Sequence, residues 1–209
     1  MTVIALTGSI DRPEKAAATQ AARQSALSLQ EWDMLQRAQQ LDVSALTWLY
    51  QTYYPKVYNY ALIHLGDVPT AEDLASDVMV KVLESLKEYQ FRGIPFAAWV
   101  FRIARNRIID IHRRRKRRGE VELNENIVAG REDPSALAER ALDRSQLQAA
   151  LLLLTEEQRQ AVVLKLVQGF DNASVAEILG RSEGAVKSLQ HRALASLRRI
   201  LKEGKPGDE

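Results

Sequence analysis

No cysteine occurs in the 209 residues. Neither disulfides nor thiolate zinc sites are available, and a reducing cytoplasm is the expected setting. Histidine is scarce, and His64, His112 and His191 lie too far apart in sequence to suggest a site. Apolar runs are short. The longest aliphatic one is Leu151 to Leu154, against the roughly eighteen residues that a membrane span needs. The N-terminus carries no signal-peptide pattern, so no membrane insertion is expected. Strand-period segments of useful length are missing too. With 46% hydrophobic and 27% charged residues and a formal net charge of +2, the totals describe an ordinary globular chain. What remains informative is where the charge sits.

Apolar residues recur at three- and four-residue spacing, the helical period. The pattern predicts helices over about 27–40 and 43–65, the second burying Leu46, Leu49, Tyr50, Tyr53, Val57, Tyr60, Ala61 and Ile63 on one broad face. Gly66 and Pro69 punctuate its end. Thr70 and Asp73 fit a capping box that opens a helix to about Tyr89. Gly93 and Pro95 mark a loop, and a long helix follows from Phe96 to about Arg117. Trp48, Trp99 and the tyrosines at 50, 53, 58 and 60 are expected in the core. Between Gly119 and Glu139 lie six acids and one base, Arg131, with Gly130 and Pro134 inside. This composition reads as an acidic tether. Beyond it, helices are expected over about 135–154, from a Thr155–Gln158 capping box to about Gln168, over 173–179, and over 182–202. The fold class is therefore all-α. Two small helical domains, 27–118 and 135–203, are joined by a flexible acidic linker, 119–134, behind a flexible N-terminal extension, 1–26.

The segment "GFDNASVAEILGRSEGAVKSLQHRALASLRRIL" has helix-turn-helix spacing. A short apolar helix reaches a turn at Gly180-Arg181. Ser182 is placed to cap a second helix, which buries Val186, Leu189, Ala193 and Leu197. Its other face carries Lys187, Ser188, His191 and Arg192. These side chains can bond phosphates and base edges when the helix lies in the major groove. A solvated face on a small helical domain is the plainer alternative.

The second basic surface lies earlier. From 92 to 118 there are ten Lys or Arg residues against one acid, Asp110. Arg102, Arg105, Asn106 and Arg113 share a face at 3.6 residues per turn. Like charges at this density call for a polyanion, whose counterions are released on binding. In "QFRGI", Phe91 and Arg92 offer an aromatic ring and a guanidinium that can stack on an unpaired base. Alternatively, Phe91 belongs to the core and the block from Arg113 to Arg118 merely caps a helix C-terminus, where cations are favoured.

Four pieces, in order, resemble the extracytoplasmic-function (ECF) group of bacterial RNA polymerase sigma factors: "LYQTYYPKVYNYAL", "AEDLASDVMVKVLESL", "FRGIPFAAWVFRIARNRIIDIHRRRKR" and "LTEEQRQAVVLKLVQGFDNASVAEILGRSEGAVKSLQHRALASLRR". The resemblance implies a protein that is no enzyme, needs no cofactor or metal, and directs core RNA polymerase to promoter DNA. It implies that Glu72, Asp73, Asp77 and Lys81 grip the largest catalytic subunit. It also implies that the loop and helix from Phe91 through Asn106 recognise and melt the minus-ten element around a flipped base. The helix with Ser182, Lys187, Ser188, His191 and Arg192 would read the minus-thirty-five element. An anti-sigma factor is the implied inhibitory partner. Position 77 is Asp where many relatives carry Gln, and Leu189-Gln190 departs from the usual recognition helix, so base preference is not carried over.

Two other classes fit parts of the pattern. A helix-turn-helix regulator acting on duplex DNA without polymerase would share the C-terminal unit but has no need of the acidic helix. A metal-dependent phosphohydrolase would use Glu72, Asp73 and Asp77 as ligands, yet no histidine lies near them in sequence and a hydrolytic metal needs more ligands.

Overall fold

The computed structural model describes residues 29–91, 94–118 and 146–203. The expected N-terminal extension, the linker 119–134, the start of the helix expected from 135, and Arg92 lie outside the described residues. Every regular element among those described is helical. Two compact units divide the chain, one ending at Leu49 and the other beginning at Tyr50.

In the first unit, α1 (29–39) is followed by a tight turn in which Leu41 takes φ 66°. Asp42 then caps α2 (Val43–Leu65), accepting from the Ala45 amide at 3.0 Å and from Arg37 Nη2 at 3.0 Å. The Ser44 hydroxyl donates to the same carboxylate at 2.6 Å. Together the Ser44, Ala45 and Arg37 donors hold the Asp42 carboxyl well below the usual range.

In the second unit, α3 (Val68–Ser85) is capped by Asp67, whose carboxylate accepts from the Thr70 amide at 3.0 Å. The expected Thr70–Asp73 box is therefore not formed. Pro69 sits in the first turn, where its missing N–H costs nothing, so the helix begins earlier and Thr70 falls inside it. The helix also stops short of Tyr89, tightening into a 3-10 turn over Leu86–Glu88. Next, α4 (Phe96–Arg118) packs on α3. Its Phe96, Ala98, Val100, Phe101, Ala104 and Ile108 are buried, as are Tyr53, Val57, Tyr60 and Ala61 of α2. Tyr50 departs from the expected stripe. It is 46% exposed and stacks on Tyr54 at 5.0 Å.

Beyond the undescribed stretch come α5 (146–152), α6 (Glu156–Val162), α7 (Asn172–Leu179) and α8 (Glu183–Glu203). The Thr155–Gln158 capping box forms as expected. From Val163 to Val167 the chain widens into a π turn, which the apolar spacing does not signal. Asp171 caps α7 through the Ser174 amide at 2.7 Å. Gly180 ends α7 at φ 62°, the left-handed cap for which glycine is suited. Both α6 and α7 pack on α8, and α7 also packs on α4.

Candidate nucleic-acid interface

The C-terminal site is built by the turn. Gly180 reverses the chain, and the Ser182 hydroxyl accepts from the Ala185 amide at 3.3 Å to start α8. Val186, Leu189, Ala193 and Leu197 anchor the helix inside. Gln190 Nε2 bonds Asn172 Oδ1 at 3.2 Å and ties α8 to α7. Ser182, Lys187, Ser188, His191 and Arg192 are all exposed, on the face opposite the buried stripe. Two of them are ordered by their own helix. The Ser188 hydroxyl donates to the Gly184 carbonyl at 3.0 Å, and Arg192 Nε to the Ser188 carbonyl at 3.3 Å.

On α3 the acidic group is likewise presented outward. Glu72, Asp73, Asp77 and Lys81 are exposed, while Ala71, Leu74, Ala75, Val78 and Val82 are buried. Asp77 pairs with Arg107 of α4, so the acidic face and the basic helix are linked directly. Among the described residues, no group of three or more His, Asp or Glu side chains is placed to hold a metal ion.

The basic helix presents Asn106 and Arg113 to solvent, and Phe91 in the preceding loop is 58% exposed. Arg102 and Arg105 are engaged within the fold. Arg102 Nη1 meets Glu177 Oε1 of α7 at 2.9 Å, and Arg105 Nε donates to Gln160 Oε1 of α6 at 2.9 Å. Beside them lies a cavity of about 300 Å³, lined by Tyr89, Gln90, Ile94, Trp99, Arg102 and Glu177, among others. Tyr89 and Trp99 stand in its wall with centroids 5.2 Å apart, and the buried Phe96 packs against both rings at 4.9 and 5.3 Å. Trp99 is thus half-buried at a cavity edge and not enclosed in the core.

Behind this surface is a polar cluster that sequence spacing does not reveal. Glu156, at the start of α6, lies 3.1 Å from His64 Nδ1 of α2 and 3.6 Å from His112 Nε2 of α4. Arg159 Nη2 reaches the same carboxylate at 2.9 Å, and Gln160 Nε2 at 2.7 Å. Two histidines separated by 48 positions therefore meet around one acid. One signal was present in the sequence: His64 continues the buried spacing Val57, Tyr60, Ala61 along α2. Its partners, being distant in the chain, had no such mark. The Tyr60 hydroxyl and Arg159 Nε are buried here without a protein hydrogen-bond partner. Each such group costs roughly 1–3 kcal/mol.

Burial lowers the His64 pKa below its ordinary 6.5, despite the neighbouring carboxylate. The neutral tautomer with its hydrogen on Nδ1 is the one that can donate to Glu156. Desolvation raises the Glu156 pKa, but His64, Arg159 and His112 outweigh it and hold that carboxyl at about 2. The charged and titratable groups around His64 are Tyr60 on its own helix, His112 of α4, and Glu156 and Arg159 of α6. The unfolded chain binds a proton at position 64 before the native one does. Stability should therefore fall as pH drops below about 6.5. Glu156 adds a further loss as pH falls from 4.5 towards 2. Urea midpoints at pH 7.5 and 5.5 measure the first effect, and the His64→Gln variant should show a flatter dependence. An equal slope in both proteins would refute it.

Comparison with known proteins defines the class first. Residues 49–118 match the model of Sigma-70 region 2, and residues 144–197 match Sigma-70, region 4. These are parts of the DNA-binding sigma subunits of bacterial RNA polymerase. The chain is 33% identical over 171 residues to the ECF RNA polymerase sigma factor BldN of Streptomyces coelicolor, covering 81% of this chain and 65%, just under two thirds, of that protein. It is also 33% identical over 180 residues to the ECF RNA polymerase sigma factor ShbA of Streptomyces griseus, covering 81% of this chain and 94% of that one. Among solved structures, the sigma factor RpoE of Bartonella quintana, in complex with the anti-sigma factor NepR, superposes with a TM-score of 0.62 at 26% identity, over 76% of this chain and 98% of that one. The chain belongs to the ECF RNA polymerase sigma factors. Members of this family direct promoter-specific transcription initiation and are non-catalytic subunits.

Proposed function

We propose that this chain binds core RNA polymerase through the α3 face of Glu72, Asp73, Asp77 and Lys81 and positions it on promoters with two separate DNA-contacting surfaces. The loop and helix bearing Phe91, Arg92, Arg102, Arg105, Asn106 and Arg113 take the minus-ten element. There, backbone contacts from the arginines offset the few kilocalories per mole lost when a base leaves the stack. The α8 face of Ser182, Lys187, Ser188, His191 and Arg192 takes the minus-thirty-five duplex. The domains are residues 27–118 and 135–203, joined by the tether 119–134. The single observation that carries the proposal is the α8 face, where five polar side chains stand exposed behind a left-handed glycine turn and a serine cap. This is the geometry that a groove-reading helix needs.

An anti-sigma protein is the expected inhibitory partner, as in the RpoE–NepR complex. Among the described residues no helix is long and apolar enough to cross a membrane. The working compartment we infer is the cytoplasm, where the polymerase is. Run-off transcription with bacterial core polymerase on a genomic fragment library tests the proposal. Discrete start sites preceded by two shared sequence elements are expected. Protein that co-elutes with core but yields no specific starts, or that binds promoter duplex only in the absence of core, would refute it.

A further inference from the structure

Three tyrosines of α2, Tyr50, Tyr54 and Tyr58, follow one another at four-residue spacing. Helical geometry sets such residues along one face, here over about 12 Å. They lie at the edge of the core. Tyr50 is exposed and Tyr54 and Tyr58 are half-buried, whereas Tyr53, Val57, Tyr60 and Ala61 of the same helix are enclosed. The rings of Tyr50 and Tyr54 stack at 5.0 Å with their planes 19° apart, which leaves each ring one outer face. The surfaces proposed above use none of these rings.

The neighbourhood is acidic and offers acceptors. Burial raises the Tyr58 pKa, and the Glu72 carboxylate of α3 and Tyr54 add to the rise, which sets both close to the Tyr58 hydroxyl. Glu72 is exposed, as is Asp73 beside it. Pro55 lies inside α2 and has no N–H to give the Gln51 carbonyl one turn back, so the ordinary helical bond is missing between Tyr50 and Tyr54. Gln51 and Pro55 are both exposed. Lys56, the lysine of α2, is already engaged over the Tyr53 ring at 5.4 Å. A guanidinium matches this set: it is flat, it stacks on aromatic faces, and its five N–H groups suit a carboxylate and a carbonyl. A nucleic-acid backbone fits poorly, because Glu72 and Asp73 repel phosphate. A purely aliphatic partner would bury the acceptors unpaired.

We propose that Tyr50, Tyr54 and Tyr58, together with Glu72, form an arginine-binding strip on α2 that takes an arginine-bearing helical segment of core polymerase. The proposal rests on the reading of the α3 face as the polymerase-binding surface and extends that surface onto α2. Rings placed every four residues recur at about 6 Å, the spacing at which a facing helix presents its own i and i+4 side chains. The guanidinium stacks on a tyrosine face and pairs with Glu72. Tyrosine suits the role because it gives a large contact for the loss of only two side-chain torsions. Lysine in the partner is a poor substitute, being a hydrated point charge without a plane to stack.

The test is the affinity of the full chain for bacterial core polymerase, measured by competition with the unaltered, fluorophore-labelled protein. Tyr50→Leu combined with Tyr54→Leu should bind core roughly tenfold more weakly. Tyr50→Phe combined with Tyr54→Phe keeps the ring faces and should stay within about twofold of the parent. Should the leucine pair fail to fold, Tyr50→Leu alone, at the more exposed ring, should still lose about threefold. Tyr54→Leu and Glu72→Gln should be non-additive, since both grip one guanidinium. Leucine variants that bind core like the parent would overturn the strip. So would a phenylalanine pair that loses as much as the leucine pair, or strict additivity with Glu72→Gln. A leucine pair that weakens binding of a single-stranded oligonucleotide but not of core would make the rings a platform for bases instead. Unchanged affinity of Asp73→Ala combined with Asp77→Ala would overturn the α3 reading, while the tyrosine variants still judge the strip.

Discussion

Lys187→Ala combined with Arg192→Ala is expected to reduce specific transcription from a dual-element promoter by about two orders of magnitude. Both side chains stand exposed on α8, one and a half turns apart, and neither contributes to the buried stripe of Val186, Leu189, Ala193 and Leu197. A charged contact to a base edge is worth roughly 1–3 kcal/mol, so each loss weakens promoter binding by about ten- to a hundredfold. If either residue instead meets a phosphate, the slope of log affinity against log salt should fall by about one for each contact removed. The salt titration therefore separates base reading from backbone grip. Folding is expected to stay within about 0.5 kcal/mol of the parent, because exposed substitutions of this kind touch little else. Unchanged run-off yield and unchanged protection of the upstream element would remove α8 from the proposal.

A larger effect on stability is expected from Phe101→Ala. Phe101 is 1% exposed and meets Tyr60 edge-on at 5.2 Å and Phe170 at 5.1 Å. Truncation removes the ring from both contacts and leaves a cavity between α2, α4 and the segment after the π turn. Phenylalanine-to-alanine changes in such sites cost about 3–5 kcal/mol, a large share of the roughly 5–15 kcal/mol that holds a typical domain. Phe101→Leu retains much of the volume and should cost distinctly less. The midpoint of urea unfolding, followed by far-ultraviolet circular dichroism, measures both. A loss below about 1 kcal/mol for the alanine variant would mean that the seam around Phe101 relaxes freely, and that the ring does not join the two regions.

The two predictions depend on different kinds of information. The α8 face was legible in the chain, because helix periodicity is local. Once Ser182 starts the helix and Val186, Leu189, Ala193 and Leu197 are assigned inward, the outward positions follow without knowledge of any other element. The same holds for α3, where the buried spacing sets Glu72, Asp73, Asp77 and Lys81 outside. It holds too for the Thr155–Gln158 box, whose partners are three residues apart. Where two local signals competed, as at Asp67 and Thr70, spacing chose the wrong cap, and the proline in the first turn decided the start.

Residues far apart in the chain were another matter. Nothing in sequence joins Arg102 to Glu177, Arg105 to Gln160, or His64 and His112 to Glu156. Helical period tells which side of a helix is apolar, but not which other helix will cover it. Class, charge layout and the outward faces followed from local pattern, because backbone geometry repeats every few residues. The contacts of Arg102 with Glu177 and of Arg105 with Gln160 were settled only when the chain closed on itself, since long-range contacts depend on how several faces fit together at once.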